Sequence, residues 1–342
     1  MSSSYGWIRE ILLAAGMILV LYGSLVLMTG SSPPMVVVES QSMMTDDESN
    51  VGIIDPGDII LVTEPEKREV VTYAEAVESG GQYHDYSTHG MPGDVIIYKK
   101  NGGNDTPVIH RAILFALANE TTPVDNNGTC IEGELDELFV ASDGSIGACI
   151  LTWDVKGTSV TNVTSINMNL TGYSCQSHGY LMIQDWIPEH EGFLTSGDNP
   201  RTNGCTIDQL TATGYSGSGP HYFGLRDEFG NPVTAVRSQW VNGLAGPEVP
   251  WFGIVKLAAS NNSSQVTSDA WTSLIVAVVI LLSSVMFLEK AMTKIIASAP
   301  EFDDSVNQSV NYRYKASKEE QEGRNVRCFC SKNFCFLRMN NS

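Results

Sequence analysis

Two stretches of the chain lack charged side chains for long enough to predict membrane helices. Residues 11–28 form the first and residues 271–288 the second, each 18 residues long. At ~1.5 Å per helical residue, a run of this length approaches the ~30 Å hydrocarbon core of a bilayer. The first run exceeds the roughly 7–15 apolar residues of a secretory leader, which favours a retained anchor, although Ser31 and Ser32 offer small residues at a cleavage position. No polar face interrupts the second run, which argues against a buried core helix.

Between these runs the pattern changes. Residues 35–39, 56–62, 92–98, 108–117, 147–155, 180–183, 232–241 and 253–257 read as strands. Two of them repeat one unit, Pro56-Gly57-Asp58 and Pro92-Gly93-Asp94 each leading into a β-branched run, as a turn followed by a strand requires. No sustained helical period occurs between residues 31 and 260, and the Gly/Asn-rich stretches at 99–106, 119–129 and 211–220 read as loops. The expected fold is mostly β: one domain over residues 31–260 with insertions, held between N- and C-terminal transmembrane helices. A short N-terminus (1–10) and a tail (289–342) complete the chain.

Charge gives this plan a direction. The whole chain carries a formal charge of -19, with 39 acidic against 20 basic residues. Residues 31–288 hold 31 of the acidic and only 10 of the basic ones, whereas residues 289–342 hold 9 basic and 7 acidic. Lys and Arg near membrane ends mark the cytoplasmic side, so both termini are expected inside and the acidic domain outside, at the plasma membrane. Such a charge excludes a nonspecific nucleic-acid binder, which needs a basic footprint.

Asparagine and cysteine usage fit an external domain. Glycan-acceptor triplets begin at Asn104, Asn119, Asn127, Asn162, Asn169, Asn261 and Asn262, with one more at Asn307 in the tail. Cys130, Cys149, Cys175 and Cys205 lie in the external part, where two disulfides in any of three pairings are compatible with the compartment. Cys328, Cys330 and Cys335 cluster in the tail without the fourth ligand of a closed zinc site, leaving free thiols or lipid attachment. No cofactor or metal is expected.

The candidate chemistry is a hydroxyl with an imidazole. Ser42 lies in Ser40-Gln41-Ser42-Met43, just after the first expected strand, and His110 lies in Val108-Ile109-His110-Arg111. Strand alternation places His110 opposite in facing to Ile109, so a core-facing Ile109 would let His110 emerge from the sheet. Asp198 in Gly197-Asp198-Asn199 and Asp208 in Asp208-Gln209 supply carboxylates. A serine needs a base, and the base needs an orienting acid. Taken singly, each residue is equally at home in a turn or a sheet surface.

Their order is more specific. The Ser40–Ser42 box with Pro56-Gly57-Asp58, then Gly93-Asp94-Val95 leading to Val108-Ile109-His110-Arg111, then Gly197-Asp198-Asn199 with Asp208-Gln209, resembles a type I signal peptidase of the histidine-containing archaeal and endoplasmic-reticulum type. Val249-Pro250-Trp251-Phe252-Gly253 is similar to the segment that closes that family's catalytic domain. The resemblance spans residues 8 to about 257. It implies a serine endopeptidase with Ser42 as nucleophile, His110 as general base, Asp208 orienting the histidine and Asp198 supporting the same network or the local fold. Ser40, with the Ser42 backbone N–H, would form the oxyanion hole. The implied partners are secreted preproteins with signal peptides, the lipid bilayer and, as a candidate, the protein-export channel. An extended substrate would pair with the edge strand near residues 35–39. Fourteen positions separate Met28 from Ser42, at most ~50 Å of extended chain, so the serine would work close to the membrane.

The chain departs from the family in places. Met44 follows Ser42-Met43 where relatives commonly have a proline nearby, Ser196 replaces a frequent lysine, and Asp208 follows Asp198 by ten positions, a wider gap than usual, with Cys205 between. A catalytically inactive scaffold that binds secreted proteins is the alternative reading. A soluble self-cleaving regulator of the same general fold would lack the two membrane runs.

Overall fold

The computed structural model describes residues 4–46, 48–123, 148–170, 180–199, 201, 207–209, 224–297, 329–331 and 334–336. Cys130, Cys175, Cys205, Asn127, Asn307 and Cys328 lie outside them, as do the side chains of Cys330 and Cys335. Cys149 is described and is disulfide-bonded.

The chain forms two compact units, Met1–Leu274 and Ile275–Ser342. In the first, helix α1 (Ser4–Thr29) runs into strand β1 (Gly30–Val37), followed by β2 (Ile59–Thr63) and the short helix α2 (Tyr73–Val77). A two-residue pair, β3 (Ser87–Thr88) and β4 (Met91–Pro92), precedes β5 (Val95–Tyr98) and the long β6 (Val108–Ala118). Then come β7 (Thr121–Pro123), β8 (Ala148–Ile150), β9 (Trp153–Val155), β10 (Ile166–Asn169), β11 (Tyr180–Ile183), β12 (Gly192–Ser196) and β13 (Val241–Val249). Helices α3 (Ile254–Ala259) and α4 (Ser268–Ala297) follow, and α4 crosses into the second unit. That unit also holds a hairpin of β14 (Phe329–Ser331) and β15 (Phe334–Phe336).

A seven-stranded antiparallel sheet organises the first unit, in the order β1-β2-β13-β5-β6-β12, with β9 pairing the far end of β6. Both Pro-Gly boxes turn the chain as their glycines permit. Gly57 and Gly93 have φ of +101° and +80°, and a side chain on Gly93 would lie 2.6 Å from the Tyr73 nitrogen. Apolar residues cover both faces. Ile113, Leu114, Trp153 and Leu194 join one cluster; Ile96, Tyr98, Ala112 and Phe193 join another; Met43, Ile54, Ile60 and Val95 form a third.

Some elements differ from the sequence expectation. The run at 253–257 is helical because Ile254 and Leu257, three positions apart, both bury fully on one face. The ladder expected at 232–241 starts only at Val241; Val236 makes an isolated bridge to Phe193. The run at 147–155 breaks into β8 and β9. Helix α2 escapes periodicity because it has five residues, and Thr72 and Glu75 close a reciprocal capping box at its start.

The two terminal helices are long and apolar enough to cross a membrane by length and composition, over Trp7–Thr29 (23 residues) and Ser268–Ile295 (28 residues). The end of α1 is fastened to the sheet. Lys67 Nζ donates to the Leu27 and Met28 carbonyls at 3.1 and 2.8 Å, and the Glu64 N–H donates to Thr29 O at 3.0 Å. Those are carbonyls that a helix end otherwise leaves without partners.

Three carboxyls sit close together where the 44–58 loop returns to the sheet. Asp58 accepts the Trp251 and Asp55 N–H groups at 2.9 and 2.8 Å, Asp55 accepts Asn50 N–H at 2.8 Å, and Glu248 accepts Gly52 N–H. Burial, reinforced for Asp55 and Glu248 by their like-charged neighbours, pushes Asp55 up to about 7, Asp58 to about 6 and Glu248 to about 7. Each holds its proton more tightly folded than unfolded. The stability this confers is therefore complete below about pH 4 and is lost as pH rises through 6 to 7. Asp55→Asn, which still accepts the Asn50 N–H, is expected to stabilise the protein by about 1–2 kcal/mol at pH 8 and by much less at pH 4.5. Thermal unfolding in detergent at the two pH values checks it; equal effects at both would exclude this origin.

Candidate functional site

The loop carrying Ser42 leaves β1 under tight control. Val38 N–H donates to Asp58 O at 3.0 Å and Gly57 N–H to Val38 O at 2.9 Å, extending the β1–β2 pairing past the strand's end. Met43 and Met44 then anchor the loop, at 2% and 3% exposure. Met43 packs in the cluster that also contains Val95 and Ile109, the residue before His110. Ser42 is left half-buried between these anchors and the strand, with its Oγ 3.1 Å from Ser40 Oγ.

Asn199 clamps the loop from the other side. Its N–H donates to Ser42 O at 3.0 Å, and its Nδ2 donates to Gln41 O at 2.7 Å. Asn199 lies three residues beyond Ser196, which pairs with Arg111 across β12 and β6. The serine loop is thus tied to the corner of the sheet that presents His110. Gln41 Nε2 also donates to Gln265 O at 2.9 Å, and Ser49 N–H to Asp269 Oδ2 at 3.2 Å, linking the loop to the start of α4.

His110 does not emerge into solvent, as alternation with Ile109 implied; it is 3% exposed. The alternation holds, but the face it chooses is covered, because His110 pairs with Ile96 and shares that side with Tyr98 and Ala112 of the second cluster. A buried imidazole needs partners. His110 Nδ1 lies 2.7 Å from Asp208 Oδ2. An acceptor there makes Nδ1 the protonated nitrogen and leaves Nε2 as the basic one.

Asp208 reaches this position from a segment bound to β12 by its backbone, its N–H donating to Thr195 O at 2.8 Å. Thr195 Oγ1 and Tyr98 OH also approach Asp208 Oδ2, at 2.6 and 2.9 Å. Gln209, the next residue, embraces Thr195, accepting its N–H at 3.0 Å and donating Nε2 to its Oγ1 at 3.2 Å. Tyr98 and Thr195 lie in segments the sequence singles out, the run 92–98 and the stretch leading into Gly197-Asp198, but carry no role there. Cross-strand alternation from His110 through Ile96 and Ala112 is the signal that points to a role for them.

Asp198 is placed elsewhere. It takes a bidentate ion pair from Arg111, whose Nε lies 2.9 Å from Oδ1 and whose Nη2 lies 2.5 Å from Oδ2, with both residues almost wholly buried. Arg111 Nη1 donates further to Gly93 O at 2.7 Å. The Asp of the other Gly-Asp box is treated alike: Asp94 receives Arg68 at 2.8 Å through both oxygens, with Tyr86 OH at 2.8 Å. Of the two candidate acids, Asp208 touches the imidazole and Asp198 braces the strand beside it.

Among the described residues, no group of His, Cys, Asp and Glu is arranged to hold a metal ion. The arrangement provides an imidazole of fixed tautomer in a dry setting, and two adjacent hydroxyls on a clamped loop. Comparison with protein-family models, curated proteins and solved structures finds no match.

Removing one partner of a buried ion pair strands the other. Asp198→Ala is expected to destabilise the protein by about 3–5 kcal/mol, against about 1 kcal/mol or less for Asp208→Asn, which keeps an acceptor for its hydroxyl donors. Chemical denaturation of the full chain in detergent compares them; similar losses would reject the division of roles.

Proposed function

We propose that the chain is a membrane-anchored serine endopeptidase resembling type I signal peptidases, removing signal peptides from secreted preproteins. The observation that carries this reading is the buried 2.7 Å contact of His110 with Asp208, on the sheet corner to which Asn199 fastens the Ser42 loop. The ordered sequence boxes support it, and so do two helices of spanning length. In this reading α1 and α4 cross the plasma membrane, and the acidic domain lies on its outer face, where exported chains emerge.

In the proposed reaction, Ser42 Oγ turns from Ser40 towards His110 Nε2 and attacks the carbonyl carbon of the scissile peptide. His110 takes the hydroxyl proton, and Asp208 stabilises the imidazolium through Nδ1–H. The oxyanion accepts from the Ser42 backbone N–H and the Ser40 hydroxyl, where losing one donor costs ~3 kcal/mol. His110 passes its proton to the leaving amine. The same nitrogen then activates the water that releases the acyl group. Substrate would lie extended beside β1, which ends the sheet and leads directly into the serine loop.

One observation keeps a second reading open, a scaffold that binds secreted proteins without cutting them. Among the described residues, the hydrogen-bond partner of Ser42 Oγ is Ser40 rather than His110. Hydrogen bonds between nucleophile and base often tighten only when substrate is present, so this contact is compatible with either reading.

Membranes carrying the wild type are expected to cleave a labelled preprotein, and membranes carrying Ser42→Ala to leave it intact. Asp208→Asn should lower the rate by roughly 10³–10⁴-fold, as loss of an orienting carboxylate does in serine proteases. Binding without cleavage by the wild type would favour the scaffold. Equal cleavage by wild type and Ser42→Ala would remove Ser42 from the chemistry.

A further inference from the structure

The oxygen of Asp208 that faces His110 is shared. Oδ2 lies 2.7 Å from His110 Nδ1, 2.6 Å from Thr195 Oγ1 and 2.9 Å from Tyr98 OH. Tyr98 and Thr195 have no exposed surface, and Asp208 is 4% exposed. Thr195 has one hydroxyl hydrogen. Its approach to Asp208 is shorter than its 3.1 Å approach to Tyr98 OH, and Gln209 Nε2 donates to it at 3.2 Å, which directs that hydrogen to the carboxylate. Tyr98 is held at the end of β5, diagonal to His110 across Ile96. Burial raises the tyrosine's pKa well above its ordinary value, so it stays a hydroxyl donor.

Three donors on one oxygen divide its charge. Each hydroxyl bond draws electron density away from the bond to His110, and in a buried setting that division is poorly screened. We infer that Tyr98 and Thr195 are positioning residues that temper Asp208, limiting how strongly it favours a protonated His110 and thereby setting the lower pH edge at which the imidazole serves as a base. The tempering itself concerns the imidazole and its carboxylate; its effect on rate rests on the proposed hydrolytic function.

Other charged groups of this corner lie outside the triad of contacts. Arg111 is paired with Asp198 on the opposite face of β6, and Asp94 with Arg68, and the charges that His89 senses are Arg111, Asp198 and Asp94. Substitutions at positions 98 and 195 leave all of these pairs in place. The ionisable groups in this hydrogen-bonded cluster are His110, Asp208 and Tyr98.

Tyr98→Phe keeps the ring and removes one donor. The remaining charge then concentrates on the bond to His110, and the protonated imidazole is favoured. The direct test is a titration of the His110 imidazole by NMR in the full-length protein, in detergent, for wild type, Tyr98→Phe, Thr195→Val and Thr195→Ser. The midpoint should move to higher pH by several tenths of a unit in Tyr98→Phe and Thr195→Val, and return to the wild-type value in Thr195→Ser. The acidic limb of the preprotein-cleavage profile should move with it. A merely structural role would lower activity at every pH and leave the midpoint in place.

The two levels separate cleanly. If Tyr98→Phe and Thr195→Val fold and the midpoint stays put or falls, the tempering role is overturned, whatever the enzyme does. Should Tyr98→Phe unfold, the Thr195→Val and Thr195→Ser pair decides the matter alone. If the midpoint moves as expected while wild type and Ser42→Ala treat a labelled preprotein alike, the tempering stands and the hydrolytic reading fails.

Discussion

Arg111 has no contact with solvent, and a guanidinium so placed must find partners for its donors inside the protein. It finds them in Asp198, which follows β12, and in the carbonyl of Gly93, which precedes β5. One side chain in β6 therefore holds both neighbouring strands at a single height. His110 comes immediately before it, and Asn199, which clamps the serine loop, comes immediately after Asp198. Desolvating such a pair costs several kcal/mol per ion, which the pairing must offset through geometry. The site inherits its precision from that demand, because β6, β12 and the serine loop cannot shift independently without exposing a charge to an apolar interior.

The division of labour between the two aspartates follows from strand alternation. Residues 110 and 111 face opposite sides of β6, so no single carboxylate from β12 can serve both. Asp198 takes the arginine face. The segment around Asp208, tied to Thr195 by its backbone, takes the histidine face. Some of the nine residues between the two acids lie outside the described part, yet Asp208 arrives with its oxygen against the imidazole. The wide spacing of the two acids thus leaves the contact between Asp208 and His110 intact.

Much of the core sheet was legible in the sequence, because its signals are local. Pro-Gly turns followed by β-branched runs locate β2 and β5, and the apolar run that follows His110 and Arg111 marks β6. The two uncharged stretches of 18 residues became helices α1 and α4. The candidate residues Ser42, His110, Asp198 and Asp208 were also legible as an ordered set. What could not be read there depended on packing between distant segments. The run at 253–257 has strand-like composition, yet Ile254 and Leu257 gain more by burying together on one helical turn. The burial of His110 depends on what covers the side of the sheet it shares with Ile96, Tyr98 and Ala112. The partners of Asp208 lie 110 and 13 positions away in sequence, so no local motif announces them.

The joint between α1 and the sheet has a mechanical meaning. Lys67 and Glu64 bind the last carbonyls of the helix, and both belong to the turn that follows β2. The last turn of the helix and the edge of the sheet are therefore tied by the same short segment. A tilt or axial rotation of α1 bears directly on this joint, and β1 runs from it towards the loop of Ser42. The orientation of one helix and the start of the strand that leads to the serine thus share a single set of hydrogen bonds.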